Sequence, residues 1–306
     1  MGDSVGVIGL GNMGGAIARN LLAAGFDVIG IDIDTARVGP FAAAGGDVAE
    51  TPAEVSRRAD IVITSLPSVT ALEQVVFGPG GLVAEGRPGI VCVETSTFPI
   101  PAKMAARDAL AEKGITLLDC TVSGTGSQAR QRDIVLYTSG PADAIERCRA
   151  VFEAVSKAAP RVGEFGAGSV MKFVSNLLVA VHTVAAAEAL TLAAKSGLDM
   201  ETALENISAG AGNSRMLEVR GPLMVAGDYD IGSATLDTLT KDSEIILDFA
   251  TKQDCPLPLL STAALYLRSA AAQGLNDQDP AVVREVLGSL AGLDSRVPFE
   301  GGATNG

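Results

Sequence analysis

The loop Gly9-Leu10-Gly11-Asn12-Met13-Gly14 follows the apolar run Val5-Gly6-Val7-Ile8 and opens a helical pattern from Met13 to Ala24. In a strand–loop–helix of this kind, the first glycine permits a tight turn and the second lets the backbone approach a pyrophosphate. The third lets helix and strand touch, with the helix N-terminus aimed at the phosphates. The next apolar run, Val28-Ile29-Gly30-Ile31, ends at Asp32, eighteen residues beyond Gly14. A carboxylate there accepts hydrogen bonds from adenosine ribose hydroxyls and repels a 2′-phosphate. The expectation is a β-α-β dinucleotide unit in which Gly9 to Gly14, Asp32 and Ile33 hold NAD, with NADP less favoured. Asp34 adds to the repulsion, and Arg37 reads as a solvated helix charge rather than a phosphate ligand.

Beyond this unit, strand patterns at Val5–Gly9, Val28–Ile33, Ile61–Ser65, Ile90–Glu94, Ile115–Asp119 and Ile134–Ser139 alternate with helical ones at Val69–Val76, Pro101–Glu112 and Ala142–Val155. Such alternation predicts a doubly wound α/β domain, a parallel sheet with helices on both faces. Near Val162 the pattern turns helical for good, with breaks at Gly197, Gly212, Gly221, Gly227–Gly232, Pro256–Pro258 and Gly274–Pro280. This predicts a Rossmann-type domain over 1–164 and an all-helical domain over 165–306, ending in a frayed tail after Leu293. Val170–Ala194 is long and apolar, but Lys172, Asn176, His182 and Glu188 interrupt it, so a helix buried between domains or subunits is expected rather than a membrane span.

Bulk properties exclude several classes. Of the 306 residues 47% are hydrophobic and 19% charged, which argues against global disorder. A net charge of −13 opposes nucleic-acid binding and requires that an anionic substrate be held by local donors. The four cysteines, Cys92, Cys120, Cys148 and Cys255, form no C-x-x-C pair and read as buried apolar side chains in a reducing compartment. His182 is the only histidine, so neither a zinc site nor a Ser-His triad is expected. It lies ten residues past Lys172, a rotation of ~280° at 3.6 residues per turn, and reads as a packed or interface residue. The strand pattern begins almost at once, leaving no room for a signal peptide, so a cytoplasmic protein is expected.

Four further segments carry a resemblance. Ser65-Leu66-Pro67 and Glu94-Thr95-Ser96-Thr97 both end strands, where ligands sit in an open α/β sheet. Asp119-Cys120-Thr121-Val122-Ser123-Gly124-Thr125-Gly126 is similar to a D-A-P-V-S-G-G stretch, with Cys-Thr in place of Ala-Pro and Thr125 in place of a glycine. Gly166-Ala167-Gly168-Ser169-Val170-Met171-Lys172-Phe173-Val174-Ser175-Asn176 resembles G-x-G-x-x-x-K-x-x-x-N, and Lys241-Asp242 resembles a later K-D. With the glycine loop, these segments make roughly residues 4–290 resemble the β-hydroxyacid dehydrogenase family, which includes 3-hydroxyisobutyrate dehydrogenase and tartronate semialdehyde reductase. NADP-preferring members often carry Asn-Arg-Thr where this chain has Asp32-Ile33-Asp34. Ser233 stands where many members carry a bulky aromatic, so no one member's substrate carries over.

The resemblance implies that Leu66, Pro67, Thr95, Ser96 and Lys241 border the cofactor. It implies that Ser123, Gly124 and Thr125 hold a substrate carboxylate, and that Lys172 is the general acid/base with Asn176 beside it. Lys172 and Asn176 are four apart and share one helix face. For proton transfer the lysine pKa must fall towards ~7–8. The expected reaction is hydride transfer between NAD(H) and a small β-hydroxyacid: 3-hydroxyisobutyrate-like, tartronate semialdehyde- or glycerate-like, or a sugar acid. A homodimer or homotetramer is implied too. The alternatives are an imine reductase of the same architecture, whose members usually lack this lysine and mostly use NADPH, and a non-catalytic dinucleotide-binding module.

Overall fold

A computed structural model describes residues 4–230 and 234–293, so Ser233 and the tail beyond Leu293 lie outside the described residues. The chain forms two compact units, one up to Ser175 and one from Asn176 onward.

The first unit is built on eight strands: β1 Ser4–Ile8, β2 Asp27–Ile31, β3 Asp47–Val48, β4 Ile61–Thr64, β5 Val91–Glu94, β6 Thr116–Ser123, β7 Val135–Ser139 and β8 Arg161–Gly163. Their order is β3-β2-β1-β4-β5-β6-β7-β8. The central strands are apolar on both faces because helices cover both. Val5, Val7, Ile61, Ile63, Val91 and Val93 enter one core. Their neighbours Ile8, Val62 and Cys92 enter the other. At Gly6 an added Cβ would stand 2.3 Å from Val55 Cγ1, so the absence of a side chain lets helix Pro52–Arg58 lie close on β1.

Two features differ from the expectation of a wholly parallel sheet of six strands. The edge strands β3 and β8 are two and three residues long, too short for a period-2 pattern to register. β7 runs antiparallel to β6, pairing Asp119–Ser123 with Val135–Ser139, and this pairing extends β6 four residues past the expected end at Asp119. The expected helix Ala142–Val155 is two, Ala142–Arg147 and Arg149–Val155, meeting at Cys148. Cys92, Cys120 and Cys148 are buried, and burial pushes the Cys92 thiol up to about 12. Cys255, contrary to expectation, is exposed.

The second unit is helical. It holds most of the long helix Ala167–Lys195 and helices Met200–Ala209, Arg215–Ala226, Leu236–Lys252, Pro258–Ala272 and Val283–Leu290. Gly197 (φ +76°) and Gly227 (φ +66°) take left-handed backbone just past two of these helices. Gly221 does not break a helix as expected; it lies inside Arg215–Ala226, where a Cβ would stand 2.5 Å from Leu204 Cδ1. It is a packing glycine between two helices. The buried Arg220 pairs with Asp279 at 2.9 Å and donates to Thr183 Oγ1 at 2.8 Å, tying three segments of this unit together.

The 29-residue helix Ala167–Lys195 is long and apolar enough to cross a membrane, but its first turn is tied to the sheet. Thr121 Oγ1 donates to Gly168 O at 2.7 Å, and Ser169 N donates to Asp119 Oδ2 at 2.7 Å. Less than half of its most apolar stretch is buried, and Val174 and Leu178 stay exposed on one side.

Candidate active site

β1, β2, β4, β5 and β6 run in one direction, so their C-terminal ends share one edge of the sheet. The strand order reverses direction between β1 and β4, which is where open sheets of this kind form a ligand crevice. The segments singled out as Gly9–Gly14, Ser65–Pro67, Glu94–Thr97 and Ser123–Thr125 all lie at that edge.

Gly9 takes φ +91°, and its N–H donates to Ile31 O at 2.9 Å. A Cβ on Gly9 would stand 2.2 Å from Ser65 O, and one on Gly14 would stand 1.9 Å from Gly9 O. Both positions exclude any side chain. Gly11 is different: a Cβ there would meet only the tip of Arg37, at 3.1 Å. As the N-cap of helix Asn12–Ala23, Gly11 brings no side chain to the helix end. A dinucleotide pyrophosphate fits this cradle, which offers unobstructed backbone at the positive end of a helix.

Asp32 closes the loop. Its Oδ2 accepts Leu10 N–H at 2.7 Å and its Oδ1 accepts Asp34 N–H at 2.8 Å, leaving the second lone pairs for ribose hydroxyls. Beside it Ile33 is fully exposed, an apolar side chain in solvent at the ligand edge of the sheet. Arg37 pairs with Asp34 at 3.2 Å and with Asp32 at 3.6 Å. With Arg19 and Arg130 it also lines a cleft of about 520 Å3 that begins at Leu10, Gly11 and Asn12.

The neighbouring loops are joined to this one. Leu66 N donates to Ser96 Oγ at 2.9 Å, and Thr95 Oγ1 donates to Thr64 O at 2.7 Å. A Cβ on Gly126 would stand 3.2 Å from Asn12 Cβ, and Asn20 Nδ2 donates to Ala129 O at 2.7 Å, so the helix after Thr125 lies against the helix of the glycine loop. Gly124, at φ +137°, turns the chain out of β6 over Ile134.

The comparisons with known proteins agree with this geometry. Residues 4–163 match the model of the NAD binding domain of 6-phosphogluconate dehydrogenase. Residues 166–287 match that of the NAD-binding domain of NADP-dependent 3-hydroxyisobutyrate dehydrogenase. The chain is 37% identical to L-threonate dehydrogenase of Cupriavidus necator, over 94% of this chain and 97% of that one. It is 32% identical to 2-(hydroxymethyl)glutarate dehydrogenase of Eubacterium barkeri, over 94% and 96%. The crystal structure of 3-hydroxyisobutyrate dehydrogenase from Salmonella typhimurium superposes with a TM-score of 0.85 at 31% identity, covering 93% of this chain and 99% of that one. The chain belongs to the β-hydroxyacid dehydrogenase family. It is an NAD(P)-dependent dehydrogenase acting on a CH–OH donor.

In this family member the long helix carries Lys172, half-buried, and Asn176, buried, one turn apart. Asn176 Nδ2 donates to the buried Asp242 Oδ2 at 2.7 Å, and Lys241 Nζ lies 3.0 Å from Asp242 Oδ1. Asp242 thus fixes the Asn176 amide, which the reading of Lys241-Asp242 as a K-D pair did not foresee. Thr125 also departs from expectation. Its backbone N–H, assigned to a substrate carboxylate, donates to Gln128 Oε1 at 2.9 Å, and its Oγ1 accepts Gln128 N–H at 3.3 Å. Thr125 is the cap of helix Gly126–Arg130. The spacing Thr125-Gly126-Ser127-Gln128 is itself a capping-box pattern and carried that signal.

One buried charge cluster near this edge had no signal in the sequence. Lys103, fully buried in helix Ile100–Ala111, contacts Glu94 Oε2 at 2.5 Å, Asp119 Oδ1 at 2.8 Å and Ser96 O at 2.6 Å. Burial alone lowers its pKa, but Glu94 and then Asp119 outweigh that and hold the ammonium above the ordinary lysine value.

Proposed function

We propose that this protein oxidises a small anionic β-hydroxyacid with NAD as the preferred acceptor, Lys172 serving as general acid/base. The observation that carries the reading is the half-buried Lys172, one helical turn from an Asn176 whose amide is fixed by Asp242. Bound in the Gly9–Gly14 cradle, NAD supplies the hydride acceptor. The neutral Lys172 amine takes the hydroxyl proton in oxidation and returns it in reduction. Asn176 hydrogen-bonds the same oxygen, while Ser123 Oγ and the Gly124 N–H hold the carboxylate. An imine reductase is disfavoured by Lys172 and Asp32, and an idle binding module by the retention of Lys172, Asn176 and Ser123 together.

Sugar acids are the first substrates to test, L-threonate among them, since the relative of 37% identity is named for that activity. Purified protein is screened with NAD against hydroxyacids of three to six carbons, and with NADPH against a cyclic imine. Turnover of a hydroxyacid and none of the imine is expected. Imine reduction alone, or NAD binding without any turnover, would overturn the reading.

The preference for NAD is supported by Asp32 and by the two carboxylates that engage Arg37. A carboxylate about 4 Å from a phosphate charge costs about 4 kcal/mol at the dielectric of a protein surface. Asp32→Ser is therefore expected to weaken NAD binding, since Leu10 N–H and Asp34 N–H lose their carboxylate acceptor, and to cut the NAD-over-NADP ratio of kcat/KM by up to about three orders of magnitude. Arg37, released from Asp32 and still paired with Asp34, would supply the 2′-phosphate contacts with Arg19 and Arg130 of the same cleft. An unchanged ratio counts against Asp32 as the selector.

The protein is further proposed to act as a homodimer or homotetramer in the cytoplasm. Val174 and Leu178, four apart on the long helix and 54% and 48% exposed, support a covered apolar face. Light scattering of the purified chain tests this.

A further inference from the structure

We propose that Lys103 is a positioning residue, whose single buried charge holds the Ser96 loop, the Asp119–Ser123 strand segment and the first turn of the Lys172 helix in one register. The inference rests on the proposed role of Lys172 for its catalytic consequence, but its geometry stands apart from it.

Lys103 donates to the Ser96 carbonyl and to the Asp119 carboxylate and is ion-paired with the Glu94 carboxylate, so one ammonium joins the Glu94–Ser96 strand end to β6. Asp119 passes the constraint on. Its Oδ1 also accepts Ser169 Oγ at 3.0 Å, its Oδ2 accepts Ser169 N–H at 2.7 Å, and its carbonyl accepts Ser139 Oγ at 2.9 Å. Ser139 Oγ in turn accepts Gly168 N–H at 2.9 Å. Ser169 is fully buried and precedes Lys172 by three residues, so it lies on the same side of the helix, one turn earlier. A Cβ on Gly168 would stand 2.5 Å from both Asp119 O and Tyr137 O, so the helix start has no room to slide across β6 and β7.

Stability alone does not account for such a cluster. Two carboxylates and one ammonium with essentially no solvent exposure form a group that apolar side chains of equal volume commonly match or exceed in stability. What the charges add is direction. An apolar contact tolerates a slip of an ångström, whereas a buried carboxylate accepting two bonds from one serine does not. A misplacement of about 1 Å at a reacting group can lower turnover about 100-fold. Lys103 touches none of the groups assigned to substrate chemistry; it acts through Asp119 and Ser169 on where Lys172 stands.

The test uses Ser169→Ala, which removes the Oγ bond to Asp119 Oδ1 and keeps the backbone N–H bond to Oδ2, and Lys103→Met, which removes the hub. Each is made with Lys172 intact and in the Lys172→Ala background. Turnover, NAD affinity, thermal midpoint and hydrogen exchange of residues 167–173 are measured. With Lys172 intact, Ser169→Ala is expected to lower kcat about 10- to 100-fold at unchanged NAD affinity and to speed exchange in 167–173. Lys103→Met is expected to lower kcat and speed that exchange likewise, but with weaker NAD binding through the Ser96 loop. In the Lys172→Ala background Ser169→Ala should have no further effect on kcat. The proposal is overturned if folded Ser169→Ala keeps wild-type turnover, if its loss matches only a loss of folded protein, or if that loss is equally large without Lys172. Should Lys172→Ala itself keep near wild-type turnover, the role of Lys172 fails separately. Exchange then decides: faster exchange of 167–173 in both variants upholds the positioning, and unchanged exchange overturns it.

Discussion

Lys172→Ala is expected to lower kcat by about 10²- to 10⁴-fold, the range that a positioned acid/base contributes, while leaving the NAD dissociation constant near its wild-type value. The split follows from where the parts lie: the cradle that fits the pyrophosphate is built from Gly9, Gly11, Gly14 and Asp32, none of them on the long helix. Lys172→Arg is the sharper companion. A guanidinium keeps the positive charge but does not release its proton near neutral pH, so it should be as inactive as alanine in the oxidative direction. If the arginine variant turns over like wild type, Lys172 supplies only charge and another group moves the proton.

Gly14→Ala should abolish cofactor binding together with part of the stability, and Gly11→Ala should affect binding alone. The Cβ at residue 14 would stand 1.9 Å from the Gly9 carbonyl oxygen and 3.0 Å from its carbon, both backbone atoms that move only if the loop moves. Overpacking of this kind costs about 1–3 kcal/mol, or roughly 2–10 °C in Tm for a chain of this size, and it dismantles the turn that presents the N–H groups. At Gly11 the Cβ would meet a flexible arginine tip and nothing else, so the fold tolerates it while a pyrophosphate does not. Thermal melts with and without NAD separate the two. A Gly11→Ala protein that is stabilised by NAD like wild type would show that the second glycine does not face the ligand.

What could be read in the chain was what short-range rules impose. Gly9 needs its positive φ and Gly14 its bare Cα because of neighbours within a few residues or on the adjoining strand, so a six-residue pattern reveals them. Lys172 and Asn176 share a face by helical periodicity alone. Lys103 was invisible for the opposite reason. Its partners Glu94, Ser96 and Asp119 are nine, seven and sixteen residues away, and in helix Ile100–Ala111 it reads like any surface lysine. The reversal of β7 was hidden too. Hydrophobic alternation gives a strand's faces but not its direction, and the turn at Gly124 with the short helix Gly126–Arg130 decides that. The helix-capping role of Thr125 was legible in its spacing to Gln128, a local pattern that a resemblance to a ligand loop left unread.

The clasp of Asp32 on Leu10 and Asp34 has a kinetic side. Because the aspartate already binds the Leu10 and Asp34 N–H groups, the start of the glycine loop is held by folding, and less chain entropy remains to be lost when a dinucleotide associates. A landing surface that is ready before its ligand arrives favours a fast, simple encounter with a dinucleotide. Loosening the clasp should turn that single-step association into one limited by the rate at which the loop finds its shape.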